Sequence, residues 1–443
     1  MRSTRFASPQ IAAAAIETIL ANNGAARDMR FNPGERSLKL KIGIIAALWV
    51  LNLVNYLDRV AMSFAGPFIM KTLHMTPAEF GIVLSSFSVG YLLAQIPGGL
   101  LGDRFGARAL LVVGPIFWAI FTGATGLVAT IAGFVVVRFL FGLSEGVATP
   151  SLYKIVGENF EVKERSRVLA ICSTALPLAP VFAGALVGKL IIAFGWKAMF
   201  MILAGPALVV ALACYLLLPT QTRKGDASVI GLPAAPSFTG VLGRRSLWLI
   251  SLASLSWNLT YWGYLGWMPS YLALARHIDL KAVGALAALP YVFAFVGMLI
   301  IGWLGSGPLH RFCERIVITC FLGGGLFLYL AYAANSLEMS LVGLSGAAFF
   351  LFGGSGPIGK ILLDLAPPSA RAAYIGVYST VGQVGAVIAP MAVGFMVTET
   401  GTFASGFTLM ELALVGAAVL LVAATVAARR ELARDALAPV RAS

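Results

Sequence analysis

The segment Gly99-Leu100-Leu101-Gly102-Asp103-Arg104-Phe105-Gly106-Ala107-Arg108 joins two apolar runs, 78–101 and 108–128, through a turn that crowds an acid and two arginines among glycines. A helix needs about 20 mostly apolar residues to cross a bilayer, and both flanking runs reach that length. The charged segment therefore reads as a tight turn at a membrane face. Outward from it, runs of the same kind lie near 43–70, 131–153, 167–193 and 197–218. A second set lies near 246–274, 282–305, 315–334, 338–363, 372–397 and 403–428. The expected fold is all-α and integral to the membrane, with twelve transmembrane helices in two pseudo-symmetric six-helix halves.

Composition supports a bilayer environment. Of 443 residues, 59% are hydrophobic and 12% charged, whereas a soluble domain carries about 25% charged residues. The 48 glycines suit close helix approach in lipid. Cys172, Cys214, Cys313 and Cys320 form no CxxC pair, and His74, His277 and His310 fall near span ends. No metal site, cofactor or disulfide framework is expected. The net charge of +13 is concentrated in the tails and alternate loops. Only Lys71, Lys189, Lys197, Arg276 and Lys281 fall on the opposite side, and Arg59 and Arg138 lie inside spans. This is the positive-inside pattern with both termini cytoplasmic; the basicity sets topology rather than marking a nucleic-acid partner.

The chain divides into a tail over 1–40, expected to be disordered, a first half over 41–218, a linker over 219–245, a second half over 246–428 and a short tail over 429–443. Ile11–Leu20 follows Arg2 and Arg5 and mimics a signal peptide, but it is short and carries Glu17. Met29 is an alternative start. An internal repeat supports two halves: Gly81, Gly99 and Gly102 superimpose on Gly284, Gly302 and Gly305, and Arg165, Ser173, Thr174 and Gly188 on Arg371, Ser379, Thr380 and Gly394.

The Gly99–Arg108 turn resembles the major facilitator signature G-x-L-x-D-R-x-G-x-R, displaced by one residue. Gly99 and Gly102 would allow close helix contact. Asp103, with Arg104 and Arg108 beside it, would latch the inner gate by pairing with a basic residue or a helix N-terminus across the half interface. The second half has Ser306 and Gly307 where the acid and arginine would fall. Asn55-Tyr56-Leu57-Asp58-Arg59 resembles the N-Y-x-D-R segment of the anion:cation symporter family, and Arg138 to Gly146 is similar to its R-x-x-x-G-x-x-E-G. The resemblance spans about residues 40 to 400. It implies a monomeric carrier of a bacterial inner membrane, importing an organic anion such as a sugar acid with protons.

Four ionisable residues inside spans need explaining on their own terms, because each costs about 2.5–3.5 kcal/mol at a helix centre. Arg138 and Glu145 lie two turns apart on one face, with Gly142 leaving space between them. Asn52, Asn55, Tyr56 and Arg59 share a face of the first span, and Asp58 is turned toward a neighbouring helix. Arg59 and Arg138 are the candidates to bind a substrate carboxylate, and Glu145 and Asp58 the candidates to carry the proton. The competing reading is a set of static ion pairs.

The seventh span is rich in aromatic residues. Trp267 and Tyr264 read as an interfacial belt, while Trp257, Asn258, Tyr261 and Trp262 lie deeper and wall a substrate. Ser379 and Gln383 share a face of the eleventh span and offer polar partners. Leu176-Pro177 stands where related symporters often carry an amide, which brings a more apolar or aromatic carboxylate into competition with a sugar acid. Gly142-Leu143-Ser144-Glu145-Gly146 fits G-x-S-x-G, but without the strand-to-helix turn of a nucleophile elbow. Gly354 to Lys360 fits most of a phosphate loop but is followed by Ile361; its glycines and Pro357 read as a bend. No catalytic cluster is evident, so an enzyme is not expected. An exporter or anion exchanger of the same fold remains the alternative to an importer.

Overall fold

The computed structural model describes residues 33–219, 241–367 and 371–442. The expected disorder of residues 1–32, and residues 220–240 of the expected linker, lie outside them. Every long element is a helix. In chain order these are α1 Pro33–Leu73, α2 Pro77–Phe105, α3 Ala107–Thr125, α4 Ile131–Gly146, α5 Ala148–Asn159, α6 Val162–Ser173 and α7 Ala175–Leu217. They continue with α8 Arg245–Leu274, α9 Leu280–Ser306, α10 Cys313–Ala333, α11 Leu337–Gly353, α12 Ser355–Leu365, α13 Arg371–Thr400 and α14 Phe403–Ala442.

Local chemistry sets the ends. Thr76 and Glu79 close a capping box ahead of α2, with Pro77 at its first position. Thr130 and Ser336 cap α4 and α11. Gly106 turns the chain between α2 and α3 at φ 89°, and Gly195 breaks α7 at φ 78°; both values favour glycine. Four helix boundaries expected to be plain turn out otherwise. Residues 33–40, expected in the tail, begin α1, and α14 runs past 428 to Ala442. The fourth span continues to Asn159 through a break at Val147, and the fifth breaks at Thr174. The expected bend in the tenth span is present at Gly354, between α11 and α12.

Among the described residues, ten segments are long and apolar enough to cross a membrane; one of them, 163–217, contains the Gly195 break. Helix α8 is not among them, because its serines, Asn258 and aromatic hydroxyls dilute its hydropathy. Large apolar side chains such as Leu212 and Val419 are 57% and 64% exposed on the outer wall, a display suited to lipid contact.

Glycines bring particular helices together. A Cβ on Gly142 would fall on the Phe87 carbonyl of α2, and one on Gly90 on the Phe139 carbonyl of α4. Gly142 therefore seats two backbones against each other and leaves no space between Arg138 and Glu145, contrary to expectation. Gly142→Leu is expected to lower the melting temperature in detergent by several degrees or prevent membrane insertion, since overpacking costs about 1–3 kcal/mol or more. Gly157→Ala, with nothing within 4 Å, should leave the melt unchanged.

At the end of the bundle that carries Thr76, α2 meets α13. Gly81 packs on Pro390 and Gly394 on Pro77, Thr398 Oγ1 accepts from the Ala78 N–H at 2.9 Å, and Ser85 Oγ accepts from the Met391 N–H at 3.1 Å. At the same end α7 meets α9 through Gly184 and Gly284. The opposite end, which carries Gly106, shows no such contacts between these pairs among the described residues. The bundle is thus sealed at the Thr76 end and open at the Gly106 end.

Candidate functional site

A cavity of about 350 Å³ lies at mid-height and opens toward the Gly106 end. Helices α1, α2, α5 and α7 line one side, and α8, α9, α11, α12 and α13 the other. The expected wall residues Tyr56, Trp257, Asn258, Tyr261 and Trp262 all line it, as do Ser379 and Gln383 one turn apart on α13. Trp257 and Tyr261 lie tilted at 43° with ring centroids 5.3 Å apart, and Tyr261 meets Phe352 at 4.7 Å. Leu176 lines the cavity too, so the fifth span does present an apolar side chain there.

Sequence reasoning missed Tyr91, Gln95, Thr149, Tyr153, Ser254 and Tyr378, which also line the cavity. A signal was available for four of them. Tyr91 and Gln95, and Thr149 and Tyr153, are polar pairs four apart, hence on one helix face. The Tyr91 and Thr149 hydroxyls are hydrogen-bonded at 2.9 Å, which ties α2 to α5 at the cavity wall.

Among the described residues, no charged one lines this cavity. The four in-span charges sit beside it, deeper toward the Thr76 end. Arg59 Nη2 donates to Glu145 Oε2 at 2.8 Å and to Asn55 Oδ1 at 3.3 Å. The pair is almost completely buried, with side chains 5% and 0% exposed. The Arg59 guanidinium lies 4.7–5.2 Å from the rings of Tyr56, Phe87, Tyr91 and Trp262. Such contacts hold a desolvated cation by about 0.5–2 kcal/mol each. Trp262, Tyr56 and Tyr91 therefore have two faces, one on the cavity and one on the cation.

Neither Arg59 nor Arg138 lines the main cavity, but both border one smaller void of about 30 Å³, with Ser63, Ser88 and Trp262. The Arg138 guanidinium lies between Phe87 and Phe141 at 5.1 and 4.8 Å. Asp58 points to α3, where Thr122 Oγ1 donates to Oδ2 at 3.4 Å. This is the neighbouring-helix orientation that its angular offset from Arg59 requires.

Two other expectations change. Trp267 and Tyr264 are not an interfacial belt: both are fully buried. Trp267 donates to the Pro390 carbonyl at 2.9 Å and Tyr264 to that of Leu344 at 2.9 Å, so they join α8 to α13 and α11. At the Gly106 turn, Asp103 pairs with Lys154 of α5 at 2.6 Å, and Lys154 also donates to the Gly102 carbonyl at 3.1 Å. The acid is thus held within its own group of helices in this conformation. The close glycine contact there is made by Gly98, whose Cβ would lie 2.7 Å from Val147 Cα, while a Cβ on Gly99 would meet nothing within 4 Å. Gly102 is loosely packed, 3.6 Å from Leu110. Arg108 donates to the Tyr215 carbonyl at 2.6 Å, and Arg104 lies over the Phe105 ring.

A model of the Major Facilitator Superfamily matches residues 48–356 and 271–441. A hexuronate transporter of Bacillus subtilis (strain 168) is 27% identical over 388 residues, 84% of this chain and 91% of the relative. A probable L-galactonate transporter of Escherichia coli (strain K12) is 29% identical over 389 residues, 83% of this chain and 85% of the relative. Among solved structures, a D-xylose-proton symporter shares the fold with a TM-score of 0.71 at 14% identity, over 86% of this chain and 97% of that one.

Proposed function

Because this chain belongs to the Major Facilitator Superfamily, and so is a multi-pass membrane transporter rather than an enzyme, we propose that it imports an organic carboxylate together with protons by alternating access. The proposed architecture is twelve spans in two six-helix halves, with both termini in the cytoplasm of a bacterial inner membrane and a monomer as the working unit. On that topology the Gly106 end is cytoplasmic, and the cavity faces inward. Equivalent roles for the repeated glycines Gly81 and Gly284, each seated on a helix across the bundle, support the two-half arrangement. The sugar-acid transporters among the relatives support the carboxylate class, and the Trp257–Tyr261–Phe352 wall admits a ring-bearing acid as well.

One observation carries the coupling: Arg59 is ion-paired to Glu145 at 2.8 Å behind rings that also line the cavity. Asp58, Arg59, Arg138 and Glu145 balance two positive against two negative charges. A substrate carboxylate that reaches Arg59 displaces Glu145 and adds one negative charge to a desolvated cluster. An uncompensated buried charge costs several kcal/mol, and a proton on Glu145 restores neutrality. Substrate and proton are thereby each stabilised by the other's presence, which is a coupling free energy. Arg138 supplies a second cation near the same carboxylates, and Asp58 a second proton carrier. Gly99, Gly102, Asp103, Arg104 and Arg108 belong to the inner gate, where closure exchanges the Asp103–Lys154 bond for contacts across the halves.

The test is uptake into proteoliposomes with an inward proton gradient, using labelled sugar acids and aromatic carboxylates. Wild type is expected to accumulate one of them above equilibrium. Glu145→Gln should lose accumulation by at least tenfold and retain exchange of labelled for unlabelled substrate. Accumulation of no carboxylate at any pH would sink the importer reading and favour export or exchange.

A further inference from the structure

A second cavity, of about 150 Å³, lies within the first group of helices. It is lined by Asn52, Asn55 and Arg59 of α1, Thr149 and Tyr153 of α5, and Ser173 of α6. It shares Tyr56, Tyr91, Thr149, Tyr153 and Leu176 with the main cavity, which therefore form a partition between the two. Two helix breaks lie beside it: α4 gives way to α5 at Val147 and α6 to α7 at Thr174. The amide of Asn52 donates to the Cys172 carbonyl at 3.3 Å just before the second break.

The upper end of this cavity is Arg59, paired to Glu145 and to Asn55, and its other end includes Tyr153 of α5, which is 57% exposed. The volume suits about five waters at about 30 Å³ each. Amide and hydroxyl linings of this kind hydrogen-bond such waters; a dry apolar void does not. Two buried atoms at the top have no partner in the protein, Glu145 Oε1 and Arg59 Nε, and buried polar atoms of this kind are ordinarily satisfied. The charged and titratable groups around Glu145 are Arg59, Tyr56 and Asp58 from α1, Tyr91 from α2 and Arg138 from its own helix. Asn55, which lines the cavity, also faces the Glu145 carboxylate.

We infer that this polar cavity is a hydrated branch that carries the coupling proton between Glu145 and the inner face, separate from the substrate cavity. The inference rests on the proton-coupled reading above. Its consequence is kinetic. Once the substrate carboxylate has left Arg59, the proton leaves Glu145 along α1, α5 and α6 without waiting for substrate to clear the main cavity, and Leu176 and Tyr56 keep the two routes apart.

The test is Ser173→Cys, which lines the branch and not the substrate cavity. The variant is made in a Cys172→Ala background, because Cys172 also lines the branch; it is reconstituted first and then blocked with methyl methanethiosulfonate, so that folding precedes the block, and the treated Cys172→Ala protein controls for the three remaining native cysteines, all buried. Blocking is expected to slow proton-gradient-driven accumulation at least tenfold, to leave labelled-substrate exchange within twofold, and to be reversed by dithiothreitol. Unblocked Ser173→Cys and Ser173→Ala should accumulate as wild type does. Equal accumulation before and after complete modification would overturn the branch alone. So would a parallel loss of exchange, which would place Ser173 on the substrate route. No proton-driven accumulation by wild type would overturn the coupling reading, and the branch with it.

Discussion

Arg59→Ala is expected to abolish carboxylate transport and to lower the melting temperature by several degrees, with Arg59→Ala/Glu145→Ala recovering most of the stability and none of the transport. The stability loss arises because truncating one member of a buried ion pair leaves the other charged and unpaired, at a cost of about 3–5 kcal/mol. Removing both members removes that penalty. A transport loss that persists in the stable double variant then belongs to the cation's role toward the substrate and not to folding. Arg59→Lys separates charge from shape. A lysine keeps the charge but loses the planar group lying 4.7–4.8 Å from Tyr56, Phe87 and Tyr91, so substrate affinity should fall at least tenfold while exchange remains measurable. Paired measurements of thermal melts and exchange rates check all three variants. Wild-type transport by Arg59→Ala would show that the cation only holds α1 to α4.

Paired cysteines at Gly99 and Gly376 are expected to cross-link on oxidation and to stop transport, with recovery on reduction. The argument is one of helical phase. Gly99 lies eighteen residues from Gly81 on α2, and Gly376 eighteen from Gly394 on α13, and eighteen residues make five turns at about 3.6 each. Each glycine at the open end therefore shares a helix face with one at the sealed end. Gly81 packs on Pro390 and Gly394 on Pro77, while a Cβ on Gly99 or Gly376 meets nothing within 4 Å. Helices α7 and α9 meet in a similar way: Gly184 and Gly284 touch at the sealed end, and five turns along α9 from Gly284 stands Gly302, whose Cβ would meet nothing within 4 Å. Pro97, Pro180, Pro290 and Pro390 interrupt the helices concerned, places where a helix bends. Closing the cavity toward the Gly106 end brings the second pair of seams together. Transport that continues after complete 99–376 cross-linking, read on gels in a background without native cysteines, would show that this seam does not close the cavity.

How far the sequence was legible depended on the range of the interaction. The spans and their capped ends rest on local hydropathy and on Thr76, Thr130, Gly106 and Gly195, and they were readable or nearly so. The aromatic wall was readable because Trp257, Asn258, Tyr261 and Trp262 repeat at helical spacing on one segment. Ser254 and Tyr378 were not readable in this way, because what sets them apart is the cavity they share with Tyr91 and Tyr153 across the bundle, a long-range relation that no single helix shows.

Sequence alone determined that this chain lies in a membrane, which charges are buried in it and which spans carry them, because each such property belongs to a single helix. Only the tertiary structure decided the partners. Arg59 could pair with Asp58 or Glu145 by charge, and the seating of Gly142 on Phe87 and Gly90 on Phe139 sets α2 against α4, with Glu145 the one at 2.8 Å. The same holds for Asp103, paired with Lys154 rather than across the bundle, and for Trp267, buried on Pro390 rather than displayed at the interface. Pairing energy depends on a few ångströms between helices, and that distance is set by backbone packing far along the chain.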